Sequence, residues 1–258
     1  MILDHLKRAA WHAARALAAW THPPGSVRKV LRGPARGMRF VVEPGMGLGY
    51  ALHWGPHEVR FLHAKIARGM TVYDIGANKG QMALFFAACV GPTGRVVSFE
   101  PAPAEYASLT RNLALNRLAN VFAIEAAAAD ATGVAAFSYS SAKRMQGQLA
   151  AVTGADAEAS EVLEVRTRTL DHLLDEGLPV PEVIKIDVEG AGAAVLRGAG
   201  ALLDRYSPAV YIEFHNRDEQ AGVRDELLGR GYVAETLAGV RVADSTADWY
   251  SPLWCYRR

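Results

Sequence analysis

An aspartate inside an apolar run, two glycines just after it and a glutamate closing the next apolar run are the residues of this chain best placed to do chemistry. The stretch TVYDIGANKG (71–80) puts Asp74 ahead of a turn built on Gly76 and Gly80, and the following run, RVVSF, leads into Glu100. Strand, glycine turn, helix, strand and acid is the order in which doubly wound sheets grip a nucleoside, the acid reaching the ribose hydroxyl pair. Gly76 suits the tight turn and Gly80 the close approach of a ligand to the backbone. Further along, Asp187 closes IKID, while Glu213 and His215 lie two apart in YIEFHN and so can share one side of a strand end.

The kind of nucleoside follows from what the turn lacks. Asn78 stands where a dinucleotide fingerprint has the glycine that lets a pyrophosphate approach the backbone. Asp74 before the turn is unwelcome beside phosphate and suited to a cationic amino group. Acid before the glycines, acid after the next strand and no phosphate cradle describe S-adenosyl-L-methionine better than a nicotinamide cofactor.

Besides the reading of Glu213 as a structural hydrogen-bond partner and His215 as simply exposed, two catalytic readings stand for Asp187, Glu213 and His215. An acceptor that is a weak nucleophile at neutral pH, as a hydroxyl would be, needs help to lose its proton. In one reading His215 is the general base and Asp187 positions the acceptor. In the other, the two carboxylates and the imidazole hold a divalent ion such as Mg that activates the hydroxyl. Around them, His53, Trp54, His57 and Glu58 either line an acceptor pocket or cap a helix after Gly55-Pro56. Lys185, inside an apolar strand, is expected to pair with a neighbour rather than act as a catalytic amine.

These residues need a sheet to hold them. Buried strands over 71–75, 95–99, 121–126, 183–186 and 209–214 alternate with helices over 58–68, 81–90, 104–116, 191–203 and 222–230. That alternation predicts an α/β fold, a mostly parallel sheet with helices on both faces. A short hairpin is expected from Val27–Leu31 and Met38–Glu43, an inserted strand pair from 134–139 and 163–169, and closing strands from 232–236 and 253–257. The polar segment 140–162, with Arg144, Met145 and Gln146, reads as a mobile loop and a candidate lid. Trp249, Tyr250 and Trp254 read as packing near the last strands.

The 258 residues suit one large α/β domain with a short extension, and 50% hydrophobic with 21% charged residues excludes disorder. A formal charge of +1 offers no basic field for nucleic acid. Cys89 and Cys255 make neither a disulfide framework nor a zinc pattern, consistent with a cytoplasmic protein. The neutrality hides an asymmetry. Residues 1–39 carry Lys7, Arg8, Arg15, Arg28, Lys29, Arg32, Arg36 and Arg39 against Asp4 alone. Residues 1–25 therefore read as a basic amphipathic helix and linker ahead of a catalytic domain over 26–258. That helix could lie on an anionic membrane surface or pack against its own domain or a second subunit.

DIGANKG (74–80), SFEP (98–101), RTLDHLL (168–174) and IKIDVEG (184–190) together resemble the FkbM-type methyltransferases, a branch of the class I S-adenosylmethionine-dependent enzymes. The resemblance spans roughly residues 55–235. It implies a Rossmann-like, seven-stranded sheet whose last strand runs antiparallel, and O-methylation of hydroxyls on sugars or polyketide-like natural products. By matching position it assigns Asp74, Gly76, Ala77, Asn78 and Gly80 to the methionine end of the cofactor, and Glu100 with Pro101 to the ribose. Asp130 would face the adenine, and Asp187 would lie beside the methyl group. The chain departs from the family after the VEG turn, where Ala191-Gly192-Ala193 replaces a usual acid. The expected acceptor is a small molecule or glycan. The competing readings are a methyltransferase acting on RNA or protein, and a non-catalytic cofactor-binding protein associated with a membrane.

Overall fold

Strands that are apolar on both faces can be buried only between two layers of helix, and TVYDI, RVVSF, VIKI and AVYI are of that kind. In the computed structural model, which describes residues 23–43, 56–139, 147–149, 161–243, 249 and 252–257, these four form the middle of a seven-stranded sheet. A two-stranded hairpin, β1 (Val27–Lys29) and β2 (Arg39–Val41), precedes α1 (Pro56–Lys65). The chain then alternates through β3 (Thr71–Ile75), α2 (Gln81–Val90), β4 (Arg95–Phe99), α3 (Pro103–Leu115) and β5 (Val121–Ile124). A four-stranded insertion follows: β6 (Ala127–Ala128), β7 (Gly133–Tyr139), β8 (Gly147–Leu149) and β9 (Glu161–Arg168). The segment expected to be an unpatterned loop thus contributes β8, which pairs antiparallel with β7.

After α4 (Leu170–Asp175) the alternation resumes with β10 (Val183–Ile186), α5 (Gly192–Arg197), α6 (Gly200–Tyr206), β11 (Ala209–Ile212), α7 (Arg217–Gly229), β12 (Val233–Thr236) and β13 (Leu253–Tyr256). Strand order is β12-β13-β11-β10-β3-β4-β5. β13 runs antiparallel to both neighbours, β11 and β12, whereas β11, β10, β3, β4 and β5 are parallel. The chain leaves β3 toward β5 and later returns beside β3 with β10, so the strand order reverses between these two. Open α/β sheets bind ligands at the carboxyl ends of such strands.

The expected single helix over 191–203 is two helices. A Cβ at Gly198 would lie 1.9 Å from the Ala129 carbonyl oxygen, so the chain there packs directly against the segment after β6. α6 restarts under a cap from another part of the chain. Asp171 accepts the amide hydrogens of Ala201 and Leu202, at 2.9 and 2.8 Å. The aspartate of the TLD motif is therefore a helix cap.

Register places Asp74 beside Lys185, and Lys185 beside Tyr211, in one row across the sheet. All three side chains therefore face the layer that contains α1, while Tyr73, Ile184 and Ile212 face the core under α5, α6 and α7. Asp187 and Glu213, each two residues further on, continue the same face beyond the strand ends. Cys89 and Cys255 are free and buried. Residues 1–22, and with them the expected amphipathic helix, lie outside the described residues, as do His53, Trp54, Arg144, Met145, Gln146 and Tyr250. No described helix is long and apolar enough to cross a membrane.

Candidate active site

The turn after β3 is left-handed at Gly76, Asn78 and Gly80, with φ of 77°, 48° and 85°. Its glycines are required by the protein itself. A Cβ on Gly76 would lie 2.0 Å from the Asp187 carbonyl oxygen, and one on Gly80 would lie 2.6 Å from Leu109 Cδ1. The expectation that Gly80 leaves room for a ligand is thus corrected: α3 fills that space.

The amides of the turn are spoken for. Gly76 and Ala77 both donate to the Phe99 carbonyl, and Gly80 donates to that of Ala77. Asn78 donates its backbone N–H to Glu100 Oε2 at 2.7 Å, and Lys79 donates to Asn78 Oδ1 at 2.9 Å. A pyrophosphate needs free amides at such a turn, and here five consecutive amides have protein partners. The inference from Asn78 that no phosphate cradle exists has this physical basis.

Glu100 closes the turn. Its other oxygen accepts the Ala102 amide at 2.9 Å, and Pro101 lies between the two. A carboxylate offers about four acceptor sites, so each oxygen retains one for a hydroxyl donor. Burial, only partly offset by these two amides, raises the Glu100 carboxyl to about 7. These features fit a ligand with a ribose diol and without a pyrophosphate.

Asp74 has a neighbour from another strand that bears on its expected role. Its carboxylate is fully buried, and the cation it meets is internal: Lys185 Nζ lies 3.3 Å from Oδ1. The cation that Asp74 faces in this structure is thus the protein's own. The same Lys185 lies 3.4 Å from Asp187 Oδ2 and donates to the Gly76 carbonyl at 3.0 Å, tying the turn to the end of β10. Burial pulls the Lys185 ammonium down, but Asp187, Asp74 and Glu213 outweigh it and keep it charged. Lys185 is thus paired, as its sequence setting implied. Asp130, expected at the adenine, is about half exposed and accepts two hydrogen bonds from Arg197, at 3.1 and 2.8 Å.

At the ends of β10 and β11 the three acceptor-side candidates converge. His215 Nε2 lies 3.4 Å from Asp187 Oδ1 and 3.7 Å from Glu189 Oε1, while its Nδ1 lies 3.7 Å from Glu219 Oε2. Asp187 and Glu219 together push the imidazole up to about 10. Burial would raise Asp187, but Lys185 and His215 prevail and hold it at about 2. Glu213 goes the other way. Burial, then the charges of Asp187 and Glu58, lift it to about 7.

This arrangement departs from the ion-binding reading. Both Asp187 oxygens already face protein nitrogens, Lys185 Nζ and His215 Nε2. Among the described residues no three His, Cys, Asp or Glu side chains are arranged to hold an ion.

Sequence reasoning passed over three members of this cluster. Tyr211, two residues before Glu213, donates its hydroxyl hydrogen to Glu58 Oε1 at 2.8 Å. Glu189 sits in the quoted VEG turn. Glu219, four residues after His215, is buried and accepts the amides of Gly192 and His215, at 2.9 and 2.8 Å. A Cβ at Gly192 would come within 2.9 Å of that carboxylate, so a side chain is absent where Glu219 enters. Of the group before β3, Glu58 reaches the site, and exposed His57 lies 3.2 Å from Arg60.

A parallel sheet with one reversed strand between β11 and β12, and a carboxylate after β4 that holds the glycine turn after β3, define a class I methyltransferase fold. The methyltransferase FkbM domain matches residues 74–234, and the chain belongs to that family. A curated relative, methyltransferase sdnD of Sordaria araneosa, is 30% identical over 154 residues, which cover 49% of this chain and 59% of that one. Among solved structures, methyltransferase FkbM from Methylobacillus flagellatus is 16% identical with a TM-score of 0.49, over 73% of this chain and 43% of the other. The O-methyltransferase from Bacillus cereus, in complex with SAH, is 14% identical with a TM-score of 0.48, over 80% and 82%.

Proposed function

We propose that this chain is an S-adenosylmethionine-dependent O-methyltransferase whose acceptor is a hydroxyl of a sugar, a glycan or a glycosylated natural product. The cofactor, when bound, supplies a methyl group made electrophilic by its sulfonium. Glu100 would hold the ribose hydroxyls, with the turn over 76–80 and the end of β10 beside it. The near-neutral charge favours a small-molecule or glycan acceptor over nucleic acid.

The observation that carries this reading is geometric: Asp187 and Glu213 follow the adjacent parallel strands β10 and β11 on one face of the sheet. Asp187 lies against Lys185 and His215 and Glu213 against the Tyr211 hydroxyl, and these settings push the first carboxyl down and the second up. Carboxyls driven apart in this way take different roles. Glu213, near half ionised at neutral pH, takes the hydroxyl proton and frees an oxygen lone pair. Asp187 stays ionised and, held between Lys185 and His215, orients the acceptor. Asp187 and Glu219 favour the charged form of His215, which suits it less than Glu213 to the base role. Its role is to anchor Asp187, and the base role proposed for it from sequence passes to Glu213.

The test is to incubate the protein with methyl-labelled S-adenosylmethionine and separate panels of saccharides, RNA and proteins. Label on a sugar oxygen is the expected result; label confined to RNA or protein would overturn the acceptor assignment.

A further inference from the structure

Glu213, Tyr211 and Glu58 form a continuous line of oxygens from the acceptor side of the sheet to the first turn of α1. Tyr211 Oη lies 2.8 Å from Glu58 Oε1 and 3.4 Å from Glu213 Oε1. Tyr211 is fully buried in the core, whereas Glu58 and Glu213 are each partly exposed. A phenol has one hydrogen to donate. Both carboxylates lie within its reach, and with the hydrogen on Glu58, the nearer of the two, the phenol oxygen is left to accept from a protonated Glu213. A hydrogen placed on Glu213 completes the line.

We propose that Tyr211 and Glu58 form a proton relay that clears Glu213 after it has taken the proton of the acceptor hydroxyl. The inference rests on the methyltransferase reading above. In the step, the Glu213 O–H bond breaks as its proton bonds to Tyr211 Oη. The Tyr211 O–H bond breaks as that proton bonds to Glu58. One proton and one negative charge exchange places between the carboxyls, no electrons are transferred, and Tyr211 is again a neutral phenol, its hydrogen now on the Glu213 side until the hydroxyl rotates back. Glu58 then releases the proton to solvent.

Two features support a concerted path. Burial, followed by Glu58 and Glu213, raises the Tyr211 hydroxyl far above its ordinary range, so a free phenolate does not form. Burial also raises both carboxyls, so each holds a proton more readily than an exposed carboxylate does. The groups facing the line from neighbouring elements are Lys185 and Asp187 from β10 and its end, and His215 beyond β11.

The test uses Tyr211→Phe, which removes one hydroxyl, and Glu58→Gln, which keeps an acceptor for the phenol but cannot take the proton. Both should lower steady-state methyl transfer by about ten- to a hundredfold, within the usual range for an acid–base contribution. The first turnover and cofactor affinity should be preserved, and Glu58→Asp should recover part of the loss. A purely structural hydrogen bond would survive Glu58→Gln with turnover unchanged, and that result would overturn the relay.

A second readout needs no acceptor. Infrared titration of the protein should show the carbonyl stretch of protonated Glu213, identified by its loss in Glu213→Gln, moving to higher frequency in Tyr211→Phe as a hydrogen bond is lost. An unmoved band would overturn the relay whether or not the protein methylates a sugar. A shifted band in a protein that methylates no hydroxyl would retain the proton path and reject the methyltransferase reading.

Discussion

Lys185 Nζ lies 3.3 Å from Asp74 Oδ1 in the middle of the sheet, and both side chains are closed to solvent. Neighbouring strand positions thus carry opposite charges that neutralise each other inside the core. Removing one partner of a buried pair strands the other, at a cost of about 3–5 kcal/mol. Lys185→Met should therefore lower unfolding free energy by about that much in a denaturant titration. Adding Asp74→Asn should return a large part of it. A double variant no more stable than Lys185→Met would mean that the two charges do not depend on each other.

Glu100 should decide cofactor affinity. Glu100→Ala removes the acceptor of the Asn78 and Ala102 amides and the sites left for hydroxyl donors. At about 1.5–3 kcal/mol for a hydrogen bond to a charged group, S-adenosylmethionine binding should weaken by about tenfold or more, as read by calorimetry. Asp130→Ala, at a residue already bonded to Arg197, is expected to have the smaller effect.

Methyl transfer should carry the signature of Glu213. With its carboxyl raised to about 7, the rate at low pH should climb as pH passes through 7. Glu213→Gln should cost about two to four orders of magnitude and abolish that limb. A limb that survives the substitution would assign it to another group.

His215 makes stability depend on pH in a defined direction. Its folded value of about 10 lies above the ordinary 6.5, so its contribution is complete below 6.5 and is lost as pH rises through 10. Glu100 and Glu213, raised from 4.5 to about 7, lose theirs across the lower window. Asp187 acts oppositely, adding stability as pH rises from about 2 past 3.8. The melting temperature should fall from pH 6.5 to 10, and His215→Gln should flatten that fall. An equally steep decline in the variant would locate the titration elsewhere.

Asp171 tests the structural meaning of the TLD motif. Asp171→Ala leaves two amides at the start of α6 without their acceptor and should destabilise the protein by about 0.5–2 kcal/mol. Cofactor affinity should be unchanged.

The sheet was legible in the sequence because its signals are local. Apolar runs mark strands, glycines mark the turn, and the acid ending the second strand lies at a fixed distance from it. Glu100, Asp187 and Glu213 could be chosen on those grounds. What each carboxylate does could not, since a side chain's protonation depends on neighbours brought by other elements. Asp74 reads as a ligand contact until the register of β3 and β10 sets Lys185 beside it. His215 reads as a base until Asp187, Glu189 and Glu219 surround it. Nothing in the sequence marks Tyr211 until α1 carries Glu58 to its hydroxyl across 153 positions of sequence. The sequence by itself determined the fold family and the turn that suits a nucleoside without a phosphate cradle. Only the tertiary structure decided which charges are satisfied inside the protein and which remain for chemistry, because burial and ion pairing act through space between residues far apart in the chain.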